Sequence, residues 1–397
     1  MEQNLSYIIV TPYTVAKNRI GGVISRLLSR LDLEFVGAQL FGADEHFASS
    51  YAKILQGQSD PKNPGAAALL SNYVLHNIGP TNGRVHRSLL LLFRGEDVYK
   101  KLSDICGALY PENISFESLS GETLRDTYAD LIYDPNNPKK VKYFEPAVFT
   151  PRSKENANDV LRLFASWLPS QQNIVDNLIH EDPSQIERTL VIIKPENWEH
   201  ASGRPGTIID MFSRTGLRII GLKLHQMSVN EALEFYGPVK GALQKKLAPN
   251  IASKAKELIE AEFEIKINDK LGQVLTATIG NEFAIDQFEQ IVEFMSGYRS
   301  TERAQDELDL PGRAKTLVLI YEGVDACQKI RDVLGPTDPS KAPEGTVRRE
   351  FGRNIMVNTA HASDSPENAL REMKIVKIEN NRCSEIIDSY LEANKSN

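Results

Sequence analysis

One histidine of this sequence stands where a side chain could carry out chemistry. His361 follows the apolar stretch 355–357 and precedes a segment with helix-start signals. It is therefore expected at the rim of a sheet, where ligands can reach a side chain. Glu372 lies eleven residues further on and could fold back to accept the N–H of one ring nitrogen. That bond would fix the tautomer and make the other nitrogen a better nucleophile. The alternative is a structural histidine, the more common role for a lone histidine beside an apolar strand.

Cationic and polar side chains precede the histidine in the second half of the sequence. Lys194, Arg331 and Arg348 supply charge, but each one alone is more typical of a solvated surface. Thr337 lies in a Thr-Asp-Pro sequence, which by itself indicates only a turn. Asn358 lies three residues before the histidine. In an unbroken strand the two would face opposite sides, so they share a site only if the strand ends between them.

Several common catalytic signatures are missing from the sequence. It contains no P-loop, no G-x-S-x-G, no H-E-x-x-H and no G-x-G-x-x-G. Phosphate chemistry in this protein would therefore depend on side chains rather than on a glycine-rich cradle.

Composition excludes several other classes of protein. Hydrophobic residues make up 41% and charged residues 25% of the 397 residues, which is typical of folded globular domains. The net charge of −7 argues against binding to nucleic acid or to anionic membranes. The three cysteines are far apart, which excludes a disulfide framework or a cysteine-rich zinc site and fits the reducing cytoplasm. We expect no signal peptide and no membrane span, because neither a basic leader nor a long apolar run is present.

The elements that must position the histidine alternate between short strands and helices. In the first half, periodicity predicts strands at 7–11, 35–41, 88–93 and 146–150, and helices at 22–30, 97–108 and 156–168. In the second half it predicts strands at 188–194, 217–227, 315–321 and 354–358, and helices at 206–214, 324–334 and 365–374. The last helix has Asp364 or Ser365 as its N-cap, with Pro366 in the first turn.

The two halves match at several anchors in the same order, which indicates an internal repeat. Thr11-Pro12 corresponds to Lys194-Pro195, the 12-residue interval from Gly95 to Gly107 recurs between Gly323 and Gly335, and G-E-T-L-R at 121–125 corresponds to E-G-T-V-R at 344–348. We therefore predict two homologous domains at 1–179 and 188–397, joined by a polar linker at 180–187. The second domain carries an insertion at about 238–312, and the first has extra sequence at 56–84.

The second copy resembles nucleoside diphosphate kinases. The motifs are R-T-L-V-I-I-K-P at 188–195, R-D-V-L-G-P-T-D-P at 331–339, E-G-T-V-R-R-E-F-G at 344–352 and N-T-A-H-A-S-D-S at 358–365. The family's phosphorylated histidine lies in N-x-x-H-G-S-D, thirteen residues after the arginine of T-I-R, and Arg348 plus thirteen is His361. The family's histidine-orienting glutamate lies eleven residues after the histidine, at Glu372 here.

This resemblance implies an α+β fold of two ferredoxin-like (βαββαβ) domains with antiparallel sheets and a ping-pong phosphoryl transfer. Mg²⁺ would bridge the phosphates of ATP and other nucleoside tri- and diphosphates, with no metal held by the protein alone. The resemblance assigns phosphate or sugar binding to Lys194, Arg331, Thr337 and Arg348, ribose contact to Asn358, support of the lysine and histidine to Tyr236, and positioning of His361 to Ser363 and Glu372. Phe288 and Ile291 are candidates to clamp the base, or equally to form a helix core.

The sequence departs from the family pattern at several positions. Ala362 replaces the glycine after the histidine and would be strained if the backbone there needs positive φ. The usual K-P-D is K-P-E at 194–196. In the first copy, Thr11, Ser103, Leu109 and Phe149 replace the lysine, first arginine, threonine and histidine, while Arg125 remains. We therefore predict that the first copy is catalytically inactive.

Two alternative functions are also consistent with the sequence. Both domains could be degenerate, which would make the protein an inactive nucleotide-binding or scaffold protein. His361 could also pass its phosphate to another protein. The retained set of Lys194, Arg331, Thr337, Arg348, Asn358, His361 and Glu372 favours the kinase. The resemblance also implies a homo-oligomer.

Overall fold

The computed structural model describes residues 4–58, 64–108, 121–380 and 382–394. The strands are β1 (Asn4–Val10), β2 (Glu34–Gly42), β3 (Arg87–Gly95), β4 (Asp130–Asp134), β5 (Asn137–Glu145), β6 (Val148–Phe149), β7 (Ile186–Ile193), β8 (Arg218–His225), β9 (Thr316–Val324) and β10 (Ala360–Ala362). None of the helices in these described ranges combines the length and the apolar character that a bilayer crossing needs.

Helices connect these strands along the chain. They are α1 (Pro12–Ala16), α2 (Ile20–Arg30), α3 (Glu45–Gly57), α4 (Pro64–Tyr73), α5 (Val98–Cys106), α6 (Leu124–Tyr128), α7 (Lys154–Trp167), α8 (Arg204–Ser213), α9 (Val229–Phe263), α10 (Asp269–Leu275), α11 (Asn281–Ser296), α12 (Ala326–Leu334), α13 (Val347–Phe351), α14 (Pro366–Ile375) and α15 (Cys383–Ala393). The six helices predicted from periodicity agree to within a few residues at each end with α2, α5, α7, α8, α12 and α14.

The strands of the C-terminal half lie in the order β10-β7-β9-β8. The pairs β10–β7 and β7–β9 are antiparallel. With α8 between β7 and β8, and α12 between β9 and β10, the order of elements is βαββαβ. The predicted α+β fold with a ferredoxin-like antiparallel sheet is confirmed for this half.

The strands of the N-terminal half lie in the corresponding order, β6-β1-β3-β2. The register at the sheet edge also corresponds, because Phe149 on β6 lies opposite Ile9 and His361 on β10 lies opposite Ile192. In addition, α5 and α12 both begin after an aspartate in the left-handed region, Asp97 at φ 53° and Asp325 at φ 54°. The hairpin of β4 and β5 forms a separate two-stranded sheet.

One sheet of eight strands joins the two halves. Strands β2 and β8 pair at Gln39 and Lys223. Above this seam α2 crosses α8 at Gly21 and Gly206, where a Cβ on Gly206 would lie 2.1 Å from the Ser25 nitrogen. One apolar core runs beneath both halves and contains β-strand residues such as Leu91 and Leu319. Glycines at the crossing let the helices approach closely enough to close this core.

A second apolar core covers the other face of the N-terminal half. Phe47 of α3, Phe164 of α7 and Ile387 of α15 pack there against the sheet. The C-terminal helix α15 therefore lies on the N-terminal half. Because both faces of β3 are covered, its central stretch L-L-L-L-F at 89–93 is apolar throughout rather than alternating.

The strand predicted at 354–358 is wrong. The Asn354 side chain accepts hydrogen bonds from the Met356 and Val357 backbone nitrogens, which folds this segment into a turn. The strand before α14 is β10, which begins at Ala360, two residues after the end of the predicted strand. Local hydrogen bonds from the backbone to an asparagine side chain compete with the backbone hydrogen bonds of a sheet. Here they outweighed the tendency of the apolar residues to form a strand.

Residues His225–Thr316 form a separate compact unit, and Met1–Leu224 with Leu317–Asn397 form the other. The unit of residues 225–316 is helical. Its long helix α9 begins with a capping box of Ser228 and Glu231, and it packs on α11. A Cβ on Gly280 would lie 2.4 Å from the Ala248 carbonyl oxygen, so this glycine permits close packing within the unit.

Candidate functional site

His361 lies on the edge strand β10, immediately before α14. Its Nε2 lies 3.0 Å from Oε2 of Glu372, which is in the second turn of α14. The His361 side chain is 23% exposed and that of Glu372 only 6%. The ring is thus reachable by a ligand while its carboxylate partner is shielded from water. Since Nε2 faces the carboxylate, Nδ1 is the nitrogen suited to attack.

A serine holds this carboxylate in place. Ser363 Oγ donates to the same Glu372 oxygen at 2.6 Å, and the Ser363 backbone nitrogen donates to the Leu190 carbonyl at 3.0 Å. The helix that carries Glu372 is capped by Ser365, which accepts from the Asn368 nitrogen. The edge strand and a capped helix therefore fix the distance between imidazole and carboxylate.

Lys194 lies at the end of β7, next to β10, and is 8% exposed. Its ammonium donates to Asn358 Oδ1 at 2.7 Å and to the Met356 carbonyl at 3.1 Å. Burial lowers the pKa of Lys194 to about 8, while Glu196 acts to raise it and Arg348 to lower it. The charge of this lysine thus depends on pH near neutrality.

Asn358 links the lysine to the loop that carries Thr337. Its amide nitrogen donates to the Thr337 carbonyl at 3.1 Å and to the Ile355 carbonyl at 2.7 Å. Because Thr359 takes φ 80° and the strand begins only at Ala360, the alternation of a continuous strand does not apply between Asn358 and the histidine. The strand thus begins between Asn358 and His361, which is the condition for the two side chains to share a site.

The two predicted arginines differ in their contacts. Arg348 donates Nη1 to the Gly335 carbonyl at 2.9 Å and Nη2 to the Ala360 carbonyl at 3.0 Å. Arg331 is exposed, and its Nη1 lies 3.4 Å from the Asp364 carbonyl at the start of α14. Thr337 is likewise exposed. Arg348 therefore also braces the backbone beside the histidine, while Arg331 and Thr337 lie at the rim.

Two residues that sequence reasoning missed hold the turn beside the histidine. Glu196 Oε1 accepts from the Thr359 nitrogen at 2.7 Å. Asn197 Nδ2 donates to the carbonyls of Lys194 at 3.0 Å and Thr359 at 2.9 Å. Burial raises the pKa of the Glu196 carboxyl. The only signal in the sequence was the change from the family's K-P-D to K-P-E at 194–196.

The backbone at Ala362 is extended. This residue pairs with Val191 of β7 and is not among the described residues with positive φ. The strain considered for an alanine at this position is therefore not present, and the left-handed conformation falls instead on Thr359.

Three predicted nucleotide-binding residues belong to the helical unit of residues 225–316. Tyr236 is 9% and Phe288 2% exposed, and Ile291 is partly buried. The Lys240 ammonium lies 5.4 Å from the centre of the Phe288 ring. The burial of Phe288 supports its interpretation as helix core, and contact with a base stays a prediction.

At the corresponding place, the N-terminal half is apolar. Phe149 takes the position of the histidine, and counting along the matching helices places Pro151 and Val160 at those of Ser363 and Glu372. The caps agree with this count, because Ser153 accepts from the Asn156 nitrogen as Ser365 does from that of Asn368.

One arginine in each half donates hydrogen bonds to corresponding backbone carbonyls. Arg125 donates to the Gly107 carbonyl and, at 2.9 Å, to the Val148 carbonyl, as Arg348 does to Gly335 and Ala360. These hydrogen bonds give Arg125 a structural role in the N-terminal half. Ser103 lies in α5, whereas Leu109 lies outside the described residues.

Comparisons with known proteins match the C-terminal half. The sequence model of the nucleoside diphosphate kinase family matches residues 187–254 and 275–381. A nucleoside diphosphate kinase of Nitratiruptor sp. is 30% identical over 188 residues, 47% of this chain and 93% of that protein. One of Staphylothermus marinus is 28% identical over 190 residues, 48% of this chain and 92% of that protein. The Aquifex aeolicus enzyme, of known crystal structure, is 26% identical; the match covers 48% of this chain and 94% of that one, with a TM-score of 0.29.

Proposed function

Since the chain belongs to the nucleoside diphosphate kinase family, we propose that its C-terminal half transfers the γ-phosphate of a nucleoside triphosphate to a nucleoside diphosphate through a phosphohistidine at His361. The observation that carries this proposal is the 3.0 Å contact between His361 Nε2 and Glu372 Oε2. It orients a partly exposed imidazole beside Lys194 and Arg348, the cations that a transferred phosphate requires.

The reaction would proceed in two displacements. In the first, the Nδ1 lone pair attacks the γ-phosphorus, the bond from phosphorus to the β-γ bridging oxygen breaks, and the diphosphate leaves. In the second, a terminal phosphate oxygen of another diphosphate attacks the same phosphorus, and the P–N bond breaks. Throughout, Nε2 keeps its proton and donates a hydrogen bond to Glu372, whose carboxylate stabilises the positive charge that develops on the ring.

The charges of the site suit phosphate oxygens better than a bare metal ion. Lys194, Arg348 and Arg331 are cations, and within the described ranges no group of three or more His, Cys, Asp or Glu could hold a metal. We therefore expect Mg²⁺ to arrive on the nucleotide, where it neutralises phosphate charge. The protein's own part is to orient the phosphates and hold the imidazole.

We further propose that the N-terminal half carries out no transfer. A phenylalanine, a proline and a valine stand where the other half has the His361–Ser363–Glu372 triad, so no phosphohistidine can form there. The protein would then carry one phosphate per chain. Assembly into a homo-oligomer, as the resemblance implies, remains part of this proposal.

The test is labelling with γ-labelled ATP followed by a chase with GDP. We expect about one acid-labile phosphate per chain, transferred to GDP on the chase, and none in His361→Ala. His200→Ala, which alters an exposed histidine away from the described contacts, is the matched control and should label normally. Absence of label in the wild type, or undiminished transfer by His361→Ala, would overturn the proposal.

A further inference from the structure

Lys223 lies on β8 at the seam of the sheet, opposite Gln39 of β2, and is only 4% exposed. Its side-chain nitrogen donates to the Val376 carbonyl at 3.0 Å and to the Lys377 carbonyl at 2.9 Å. These two carbonyls follow directly after α14, the helix that carries Glu372. A residue of the seam therefore holds the end of this helix.

The chain leaves α14 in a conformation that needs such support. Lys377 takes φ 47°, in the left-handed region, which is unfavourable for a residue with a Cβ. The last carbonyls of a helix also carry partial negative charge, which a basic side chain stabilises. Asn173 adds a third bond, because its Nδ2 donates to the Ile378 carbonyl at 3.1 Å. Three successive carbonyls, at 376–378, are thus fixed by side chains.

The end that is held lies one helical turn from Glu372. The Val376 nitrogen donates to the Glu372 carbonyl at 3.1 Å, so the two residues are joined through the backbone of the helix. At its other end α14 is capped by Ser365. A helix fixed at both ends keeps its carboxylate at a set distance from His361, whereas a displaced end would move the carboxylate away from the ring.

The third bond comes from the N-terminal half. Asn173 is 1% exposed, and the residues after it lie along β8. Ile174 forms a bridge with Gly221, and the Val175 nitrogen donates to the Ile220 carbonyl at 2.8 Å. Support for the end of α14 thus depends on the seam where the two halves meet.

The two halves differ at the position of Lys223. The sequences L-E-F-V-G-A-Q at 33–39 and L-R-I-I-G-L-K at 217–223 correspond, which places Gln39 where the other half has Lys223. Gln39 is 1% exposed, yet neither polar atom of its amide has a hydrogen-bond partner in the described part of the chain. In α7, which corresponds to α14, Val160 replaces the glutamate. The supporting lysine therefore occurs in the half that has the carboxylate.

We infer that Lys223 is a positioning residue for Glu372. By holding the end of α14, it keeps the carboxylate within hydrogen-bond reach of the His361 ring. Through Asn173 and β2, the N-terminal half takes part in this support without carrying a phosphate itself. The inference rests on the phosphoryl transfer proposed above, but the contact it concerns can be observed without nucleotide.

The first test observes that contact by NMR in the full chain. The proton on Nε2 of His361 should give a resolved ¹H–¹⁵N resonance, because a bond to a shielded carboxylate slows its exchange with water, and His361→Ala identifies the signal by its loss. The signal should disappear in Lys223→Met. Gln39→Met, the same substitution at the corresponding buried position, is the matched control and should keep it. A wild type without the signal, or its equal loss in Gln39→Met, would overturn the inference.

The second test is single-turnover formation of the phosphohistidine with γ-labelled ATP. Lys223→Met should slow this step about tenfold, because the carboxylate is no longer held in place. In a Glu372→Ala background the same substitution should have no further effect, since Lys223 acts through that carboxylate. Equal slowing in both backgrounds would show that Lys223 only stabilises the fold and would overturn the inference.

Asn173→Ala keeps the tests decisive if Lys223→Met fails to fold. This smaller change should weaken the NMR signal and slow the step about threefold. If the wild type takes no label but its signal depends on Lys223 or Asn173, the proposed transfer is wrong and the positioning stands. If the wild type is labelled and the folded variants keep both the signal and the rate, the inference alone is overturned.

Discussion

The surroundings of Glu372 suit a negatively charged carboxylate. It accepts from Ser363 at 2.6 Å and lies 3.0 Å from the imidazole, so an amide in its place could keep one contact but not the negative charge. We predict that Glu372→Gln lowers kcat on the order of 10²-fold with little change in KM, because the phosphorylated ring loses its stabilising carboxylate. Rapid-quench measurement of phosphoenzyme formation would test this.

The matched control is Glu367→Gln, in the exposed first turn of the same helix, which should label at the wild-type rate. Formation of phosphoenzyme at an unchanged rate in Glu372→Gln would show that the carboxylate only packs.

Loss of the Lys194 proton should lower the rate of the proposed reaction at alkaline pH. Its pKa is lowered to about 8, chiefly by burial, so the ammonium loses its proton as the pH rises through that value. A neutral amine attracts phosphate less, and kcat/KM, which reports the free enzyme, should therefore fall above about pH 8. The pH profile of kcat/KM with ATP measures this limit.

Glu196 allows a check on the cause of that limit. Its charge acts to raise the lysine pKa, so Glu196→Gln should move the alkaline limb to lower pH while the amide oxygen can still accept from the Thr359 nitrogen. A limb that stays in place, or moves upward, would contradict the assignment to Lys194.

At the scale of elements, the crossing of α2 and α8 depends on glycine. A Cβ at position 206 would lie 2.1 Å from the Ser25 nitrogen and 2.3 Å from the Gly21 carbonyl oxygen, both of them backbone atoms. Gly206→Ala must therefore push the helices apart, which outweighs its better helix propensity. We predict a loss of about 1–3 kcal/mol or more in the free energy of unfolding, measured by urea denaturation.

Gly57→Ala is the control for this substitution. A Cβ at position 57, the last residue of α3, would meet no atom of the described residues within 4 Å, so stability should be unchanged or rise by up to about 1 kcal/mol. If Gly206→Ala were equally well tolerated, the close approach of the two helices would be in doubt.

At the scale of the whole molecule, the two halves have corresponding strand orders but differ in the residues at the sheet edge. We predict that Phe149→His, made in the His361→Ala background, gives no phosphohistidine in the N-terminal half. Val160 and Pro151 provide neither the carboxylate nor its serine, and Thr11 provides no cation. Labelling with γ-labelled ATP tests this, with the His361→Ala protein as baseline, and label at the new histidine would show that the half lacks only its nucleophile.

Much of this arrangement could be read from the residues. Apolar runs and helix-start signals located the strands and helices, because burial and capping act over short stretches of sequence. The glycine spacing that predicted a repeat has a structural counterpart, since Gly95 and Gly323 both take φ near 155° and few residues replace glycine there. The strand at 354–358 was missed because the bonds of the Asn354 side chain, rather than apolar pattern, decided it.

The sequence by itself determined the residue types of the candidate site, its family and the apolar character of the first copy, because these depend on the order of residues and on their spacing. Only the tertiary structure decided which contacts they make. It put the left-handed residue at Thr359 rather than Ala362, fixed its backbone with hydrogen bonds to Glu196 and Asn197, and joined the two halves of the chain in one sheet through β2 and β8. Such contacts link residues far apart in the chain, and their energy exists only once both partners are packed in place.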